Sequence, residues 1–420
     1  MKIIQNSNIM KRVFIFCLLT LLLCSCKESE ENSTKVELIE RQDIPLTRSE
    51  KVVSNSANKF AFELIKQMNS NEKNFLISPM SAHMALSMLC NGADGETLVE
   101  IANTLGYENI DDINNYNQKL VNILPTLDNT AELKLANGIW FRNAIPLKES
   151  FIDKVKTFFC AQASQFTDYN DARTEINNWC DKNTEHKISS IIPEGCYFDS
   201  VLANALYFAG TWRGLFDKQN TKDALFNNED GTTSIVEMME TTDYYNFSNA
   251  SDMHLQLIDI PFGNLAYSFY AMLPEEGYHL NDLLSNISLS NIENIEKGFI
   301  GREVNLKMPK FELENNYDLV NTFKAMGMEN SFSNPDFSNM GVEMYIDHIF
   351  NNNKIVINEN GAEAAASTAI TTVFGSPIGG SDTEQQTTTF TLDRPFCFYI
   401  KEKSTNTVLF FGKINELKTK

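Results

Sequence analysis

Serine, aspartate and five histidines supply the side chains of hydrolytic chemistry, but their spacing assembles no site. The chain has no GxSxG elbow to raise a serine nucleophile, no HExxH pair and no paired histidines to hold a metal. What it has instead is Glu359 to Thr372, ENGAEAAASTAITT, a segment whose chemistry is main-chain hydrogen bonding. In an extended conformation Ala362, Ala364, Ala366, Thr368, Ile370, Thr372 and Phe374 share one face, with Glu363, Ala365, Ser367, Ala369, Thr371 and Val373 on the other. The first face is uncharged, mostly small and free of proline, so it can join a sheet interior without burying a charge or losing a ladder donor. Gly361 gives the chain a point at which to turn into such a strand. A permanently buried strand and a polar Ala/Thr loop fit the same pattern.

A strand needs a sheet to join, and the rest of the chain supplies candidates. Ala57, Phe60, Ala61, Leu64, Ile65 and Met68 follow the helical i, i+3, i+4, i+7 rule, with Ser56 placed to cap a first helix. A second helix is predicted from about Ser81 to Cys90, stopped by Asn91 and Gly92. Further helices are predicted near 94–105, 113–127, 149–160 and 171–184. Strands dominate the remainder. SVLANALYF, 200–208, suits a strand covered on both faces. LAYSFYAMLP, 265–274, and VNLKMPKFELE, 304–314, read as long strands, with Pro309 marking an edge or a bulge in the latter. FCFYI and VLFFG flank KEKSTNT as a terminal hairpin. Helices first and strands later predict an α+β fold. No Pro/Gly/Ser linker, low-complexity block or internal repeat follows residue 49, which predicts one large domain.

Lys11 and Arg12 precede the apolar run VFIFCLLTLLLCS, the architecture of a secretory signal and too short to span a bilayer comfortably. Leu23, Cys24, Ser25 and Cys26 resemble a bacterial lipobox in which Cys26 is lipidated and becomes the first mature residue; a plain signal with incidental cysteines is the alternative. Residues 1–25 are then a lipoprotein signal peptide, and 26–48, polar and poor in large apolar groups, a flexible tether. Acidic residues close to Cys26 resemble the surface-export signals of some bacterial lipoproteins. Without residues 1–25 the chain holds 32 basic against 55 acidic residues, a formal net charge of −23. That balance excludes nucleic acid, and with no basic helix it excludes a glycosaminoglycan as well. Cys90, Cys160, Cys180, Cys196 and Cys397 are odd in number and irregularly spaced, neither a disulfide framework nor a zinc site. Cys90 and Cys397 fall in apolar patterns where a thiol serves as a small hydrophobe.

INENGAEAAASTAI resembles the hinge of the reactive loop in serpins, a family of protease inhibitors. Further resemblances to that family follow in order over residues 50–417: NFLISPMSAHMALSMLCNGADGET at 74–97, NALYFAGTW at 204–212, FDKQNT with Phe216 and Thr221, MPKFELE, MGMENSFSNPDFSNM at 326–340 and DRPFCFYI at 393–400. The resemblance implies a serpin fold over 49–420: a single large domain of about nine helices and three β-sheets, a metastable central sheet, and an exposed reactive loop over about 359–390. Glu359, Gly361, Ala362, Glu363, Ala364, Ala365 and Ala366 correspond to the hinge. Ser78, Ser81 and Asn204 match the polar shutter that lets the sheet open, and Trp212 the aromatic residue at the breach where the loop first inserts. The family's usual shutter histidine is replaced by Asn351, which can still donate and accept a hydrogen bond. Ser81 also fits a plain helix N-cap.

The implied activity is that of a serine-type endopeptidase inhibitor, not an enzyme: bait and stored free energy come from this chain, catalytic groups from the target. No cofactor or metal is called for, and a monomer is expected. Counting from Glu359 by the family's hinge length places the scissile bond between Gly375 and Ser376. Glycine anchors specificity poorly, so the bait is taken as Val373, Phe374, Gly375 and Ser376. Phe374 suits chymotrypsin-like and Val373 elastase-like targets; subtilisin- and papain-like proteases are further candidates. No Arg or Lys lies between Glu359 and Thr391, which disfavours trypsin-like ones. The expected location is outside the cell, lipid-anchored to a bacterial outer membrane. The competing reading is a non-inhibitory serpin-fold lipoprotein that binds at the surface.

Overall fold

The run beginning SVLANALYF is buried at every position from Ser200 to Thr211, as an unbroken apolar strand covered on both faces must be, and the rest of the fold is arranged around it. The computed structural model describes residues 37–69, 74–142, 147–341, 345–362 and 387–419. Its helices are α1 (Arg48–Asn69), α2 (Pro79–Cys90), α3 (Gly95–Leu105), α4 (Ile110–Ile123), α5 (Glu149–Phe159), α6 (Tyr169–Asn183), α7 (Leu280–Ser285), α8 (Leu289–Lys297), α9 (Val320–Ala325) and α10 (Glu329–Ser333). Its strands are β1 (Phe75–Ile77), β2 (Ala131–Arg142), β3 (Gln162–Phe166), β4 (Ser200–Thr211), β5 (Lys222–Asn227), β6 (Thr233–Ala250), β7 (Leu255–Pro261), β8 (Tyr267–Pro274), β9 (Ile300–Pro309), β10 (Phe311–Asp318), β11 (His348–Asn358), β12 (Gly361–Ala362), β13 (Thr388–Thr391), β14 (Phe396–Glu402) and β15 (Val408–Ile414).

Six strands form a central sheet in the order β10-β11-β12-β4-β2-β3. The other nine are hydrogen-bonded continuously, but β6 divides them into the two further sheets expected. Its first residues pair with β5, its middle with β9, and its last with β7. Side chains alternate across the central sheet. Val201, Ala203 and Ala205 pack with Trp140, Ile176 and Phe350 beneath α6. Leu202, Leu206 and Phe208 face the main core, between this sheet and the nine-stranded assembly. Helix α2 is buried at all twelve positions, being apolar most of the way round.

Three local expectations change. Ser56 lies inside α1 and does not cap it. The helix starts at Arg48 behind a reciprocal capping box, in which the Thr47 N–H donates to Glu50 Oε2 at 2.6 Å and the Glu50 N–H to Thr47 Oγ1 at 3.2 Å. The second helix begins at Pro79, and its N-cap is Ser78, whose hydroxyl accepts from the Ser81 N–H at 3.1 Å. Residues 304–314 are not one strand: Pro309 ends β9, pairing with Met238, and β10 continues in the other sheet opposite β11. A proline without an N–H is a suitable place for a ladder to stop and the chain to change sheets. Cys90 and Cys397 are buried, as small hydrophobes would be.

Candidate functional site

The sheet is closed along its lower half. β4 and β11 run parallel and pair from Val201↔His348 to Leu206↔Asn353. Above that they separate, and the chain itself fills the gap. After Asn358 it reverses through a turn in which the Asn360 N–H donates to Asn358 Oδ1 at 2.9 Å. β12 then returns antiparallel to both neighbours, with Ala362 opposite Ile357 and Gly210, and Gly361 opposite Asn358 and Thr211. Ala362 is fully buried in the main core.

Gly361 makes this possible. Its φ is +148°, and a Cβ there would lie 1.8 Å from the Gly210 carbonyl oxygen, so the backbone of β4 occupies the space a side chain would need. Trp212, also fully buried, fixes the turn from below. Its Nε1–H donates to the Asn358 carbonyl at 2.9 Å and its backbone N–H to the Asn360 carbonyl at 3.0 Å. Its ring stacks on Phe262 with centroids 4.5 Å apart. Glu359 holds the outer side, accepting from Thr221 Oγ1 at 2.8 Å with the Lys310 ammonium 3.5 Å away. Burial would raise its pKa, but the hydrogen bonds from its own backbone N–H and Thr221, together with Lys310, outweigh that and hold the carboxyl below its ordinary range.

Below the gap, on the core face, lies a row of amides. Asn137 on β2, Asn204 on β4 and Asn351 on β11 stand in one register across three adjacent strands. Asn204 donates to Asn137 Oδ1, whose own amide donates to the Phe159 carbonyl at 2.8 Å. Asn351 Oδ1 accepts from Asn353 at 2.5 Å and from the Ser78 N–H at 3.5 Å. Ser78, Ser81, Asn204 and Asn351 are each at most 1 % exposed. Yet Ser81 Oγ, Asn204 Oδ1, Asn351 Nδ2 and Asn353 Oδ1 have no hydrogen-bond partner among the described residues. Polar contacts of this kind hold neighbouring strands less tightly than interlocked apolar side chains would.

Ser78, Ser81, Asn204 and Asn351 thus lie in one cluster, and Trp212 holds the turn, at Asn358 and Asn360, that leads into Gly361 and Ala362. Hinge residues Glu363, Ala364, Ala365 and Ala366, bait residues Val373, Phe374, Gly375 and Ser376, and Cys26 lie outside the described residues. Asn137, Asn353 and Lys310 were not foreseen. The one available signal was the position of Asn137 in the apolar run LANGIWF, where a lone amide needs a partner. Among the described residues no group of His, Cys, Asp and Glu could hold a metal.

A family model described as Serpin (serine protease inhibitor) matches residues 55–417. An uncharacterized serpin-like protein of Thermococcus kodakarensis is 30% identical over 383 residues, covering 89% of this chain and 88% of its own. Among solved structures, the thermophilic serpin tengpin in its native state superposes with a TM-score of 0.79 at 26% identity, covering 90% of this chain and 98% of tengpin. Human thyroxine-binding globulin, complexed with thyroxine, superposes with a TM-score of 0.80 at 25% identity, covering 88% and 100%.

Proposed function

We propose that this chain, which belongs to the serpin family, inhibits serine proteases outside the cell by being cleaved in its loop and inserting the cut strand into the central sheet. The observation that carries the reading is β12, two hinge residues already seated between β4 and β11. If the cut strand continued this register, Ala364 would stand opposite Phe208 and Ile355, Ala366 opposite Leu206 and Asn353, and Thr368 opposite Asn204 and Asn351. Ile370 would then meet Leu202 and Ile349, and Thr372 would meet Ser200 and Asp347. Alternate residues from Ala362 share its core-facing side. The smallest of them fall beside Phe208 and Leu206, and the first hydroxyl falls on the amide row. Thr368 can both donate and accept there, satisfying atoms that lack partners.

The protease serine attacks the bait carbonyl, an acyl-enzyme forms, and the amine of the new N-terminus leaves with the proton. Some 14 extended residues at about 3.3 Å each carry the ester roughly 46 Å along the sheet before water hydrolyses it. Phe374 and Val373 favour chymotrypsin- and elastase-like targets. The basic, apolar and cysteine pattern of residues 11–26 supports display from a membrane through lipidated Cys26; Cys26→Ala should then move the protein from the membrane to the soluble fraction.

The test is to mix mature protein with chymotrypsin-, elastase-, subtilisin- and papain-like enzymes. An SDS-resistant complex and a released peptide starting near Ser376 are expected. Clean cleavage without complex across the whole panel would leave only the surface-binding reading.

A further inference from the structure

At the end opposite the hinge, just beyond the ladder pair Val201↔His348, a side chain and not a further rung closes β4 against β11. Asp347, the residue before β11, turns its carboxylate to the start of β4: Oδ2 accepts from the Asp199 N–H at 2.7 Å and the Ser200 N–H at 3.0 Å. Ser200 answers from β4. Its fully buried hydroxyl accepts from the Asp347 N–H at 3.2 Å and donates to the Tyr345 carbonyl. These contacts occupy the edge of β4 that an inserted strand would use. In the register set by β12, Thr372 falls between Ser200 and Asp347.

We propose that Asp347 and Ser200 form a clasp that closes the far end of the sheet and sets the rate at which a loop strand completes its insertion. The proposal rests on the insertion reading above. A carboxylate accepting two backbone N–H groups is a strong, charge-assisted contact, and it must be released before Thr372 can pair with β4. Unlike the amide row, which an arriving Thr368 completes, the clasp has its bonds already and loses them. It therefore works as a brake. Arg142 lies at the same end of the sheet on the β2 side, its NH1 2.8 Å from Asp199 Oδ1; it touches the Asp199 carboxylate and not the N–H that Asp347 holds, and so serves as a control for charge at this end of the sheet.

The experiment follows uptake of a synthetic peptide of residues 361–374 by the intact, uncleaved protein, read by native gel and by the rise in melting temperature. Asp347→Ala should take up peptide at least about tenfold faster than wild type, the fold-change for one lost charge-assisted bond and a lower bound for the two it loses, with Asp347→Asn in between. Arg142→Gln should stay within twofold of wild type. Uptake by both Asp347 variants at the wild-type rate overturns the clasp, as does equal acceleration by Arg142→Gln. If Asp347→Ala does not fold, Asp347→Asn decides alone. A wild type that takes up peptide but forms no protease complex sinks the inhibition reading and leaves the clasp standing. Normal complexes with no effect at Asp347 do the reverse.

Discussion

Gly361→Ala is the smallest change that tests whether the seated hinge is the starting point of insertion. The added methyl would stand 1.8 Å from the Gly210 carbonyl oxygen and 3.0 Å from the Thr211 Cα. Both are backbone atoms of a strand paired with β2 from Ser200 to Gly210 and tied beyond it by the Thr211 N–H donating to the Thr130 carbonyl, so neither can swing aside as a side-chain tip would. A non-glycine residue in such a backbone conformation costs about 1–3 kcal/mol before any clash is counted. The strand must therefore withdraw by more than an ångström, giving up its pairing with Thr211 and Asn358. Taking about 2 kcal/mol as the added barrier, and 1.36 kcal/mol per factor of ten, insertion slows about thirtyfold while hydrolysis of the acyl-enzyme does not. The variant should then be cut mostly as a substrate. Densitometry of SDS-resistant complex against cleaved chain, at fixed protease, reads that partition directly. A wild-type partition, with a cleaved form that melts as high as cleaved wild type, would refute the role given to β12.

Thr368→Val keeps the shape of the inserted strand and removes one hydroxyl opposite Asn204 and Asn351. The intact protein should melt unchanged while the cleaved form loses about 1 kcal/mol, seen by calorimetry as a lower melting temperature; equal cleaved forms would mean the amide row does not bind the loop. His83 on α2 is buried between Phe60 and Tyr116, and burial pushes its pKa down to about 4. Its folded pKa lies below the ordinary 6.5, so the unfolded chain takes the proton first as pH falls. Stability is full above 6.5 and is lost down to about pH 4, by about 2 kcal/mol at pH 5. Urea midpoints at pH 7 and pH 5 should differ accordingly in wild type and far less in His83→Gln; parallel shifts in the two would rule the histidine out.

The parts of the fold that were legible were those written in local pattern. The run at 200–208 announced a doubly covered strand, and FCFYI and VLFFG a hairpin, because burial and turn chemistry act on neighbours. What was missed lies between segments distant in sequence. Ser56 looked like a cap because serine caps helices, but the reciprocal Thr47–Glu50 pair, nine and six residues earlier, had the geometry. Pro309 was visible as a break, yet only the partners Met238 and Ile357 show that it separates two sheets. Asn137 carries no motif of its own, and its role follows from standing in register with Asn204 and Asn351. Glu359 was placed in the hinge, while Lys310 and Thr221, which hold it, come from elements about 50 and 140 residues away.

Register also explains how such a sheet could open without being rebuilt. In the closed half, Asn204 on β4 is the direct partner of Asn351 on β11. In the open half, Ala362 stands between Gly210 and Ile357, positions offset along their strands by the same amount. The hinge therefore preserves the stagger of its two neighbours. A strand extending from it finds Asn204 and Asn351 still level with each other, on either side of Thr368. Insertion then requires β4 and β11 to move apart by one strand spacing, about 4.8 Å, with no sliding along their length. Sliding by one residue would turn every side chain to the wrong face and empty the core. Lateral opening breaks a six-residue ladder, a row of amides already short of partners and, at the far end, the contacts between Asp347 and Ser200. A histidine in that row would make its hydrogen bonding respond to pH near neutrality; an asparagine does not titrate. The amide row itself should accordingly open alike at pH 6 and pH 8; a pH dependence of opening would come from the far end of the ladder, where the hydrogen bond to Asp318 raises the pKa of His348.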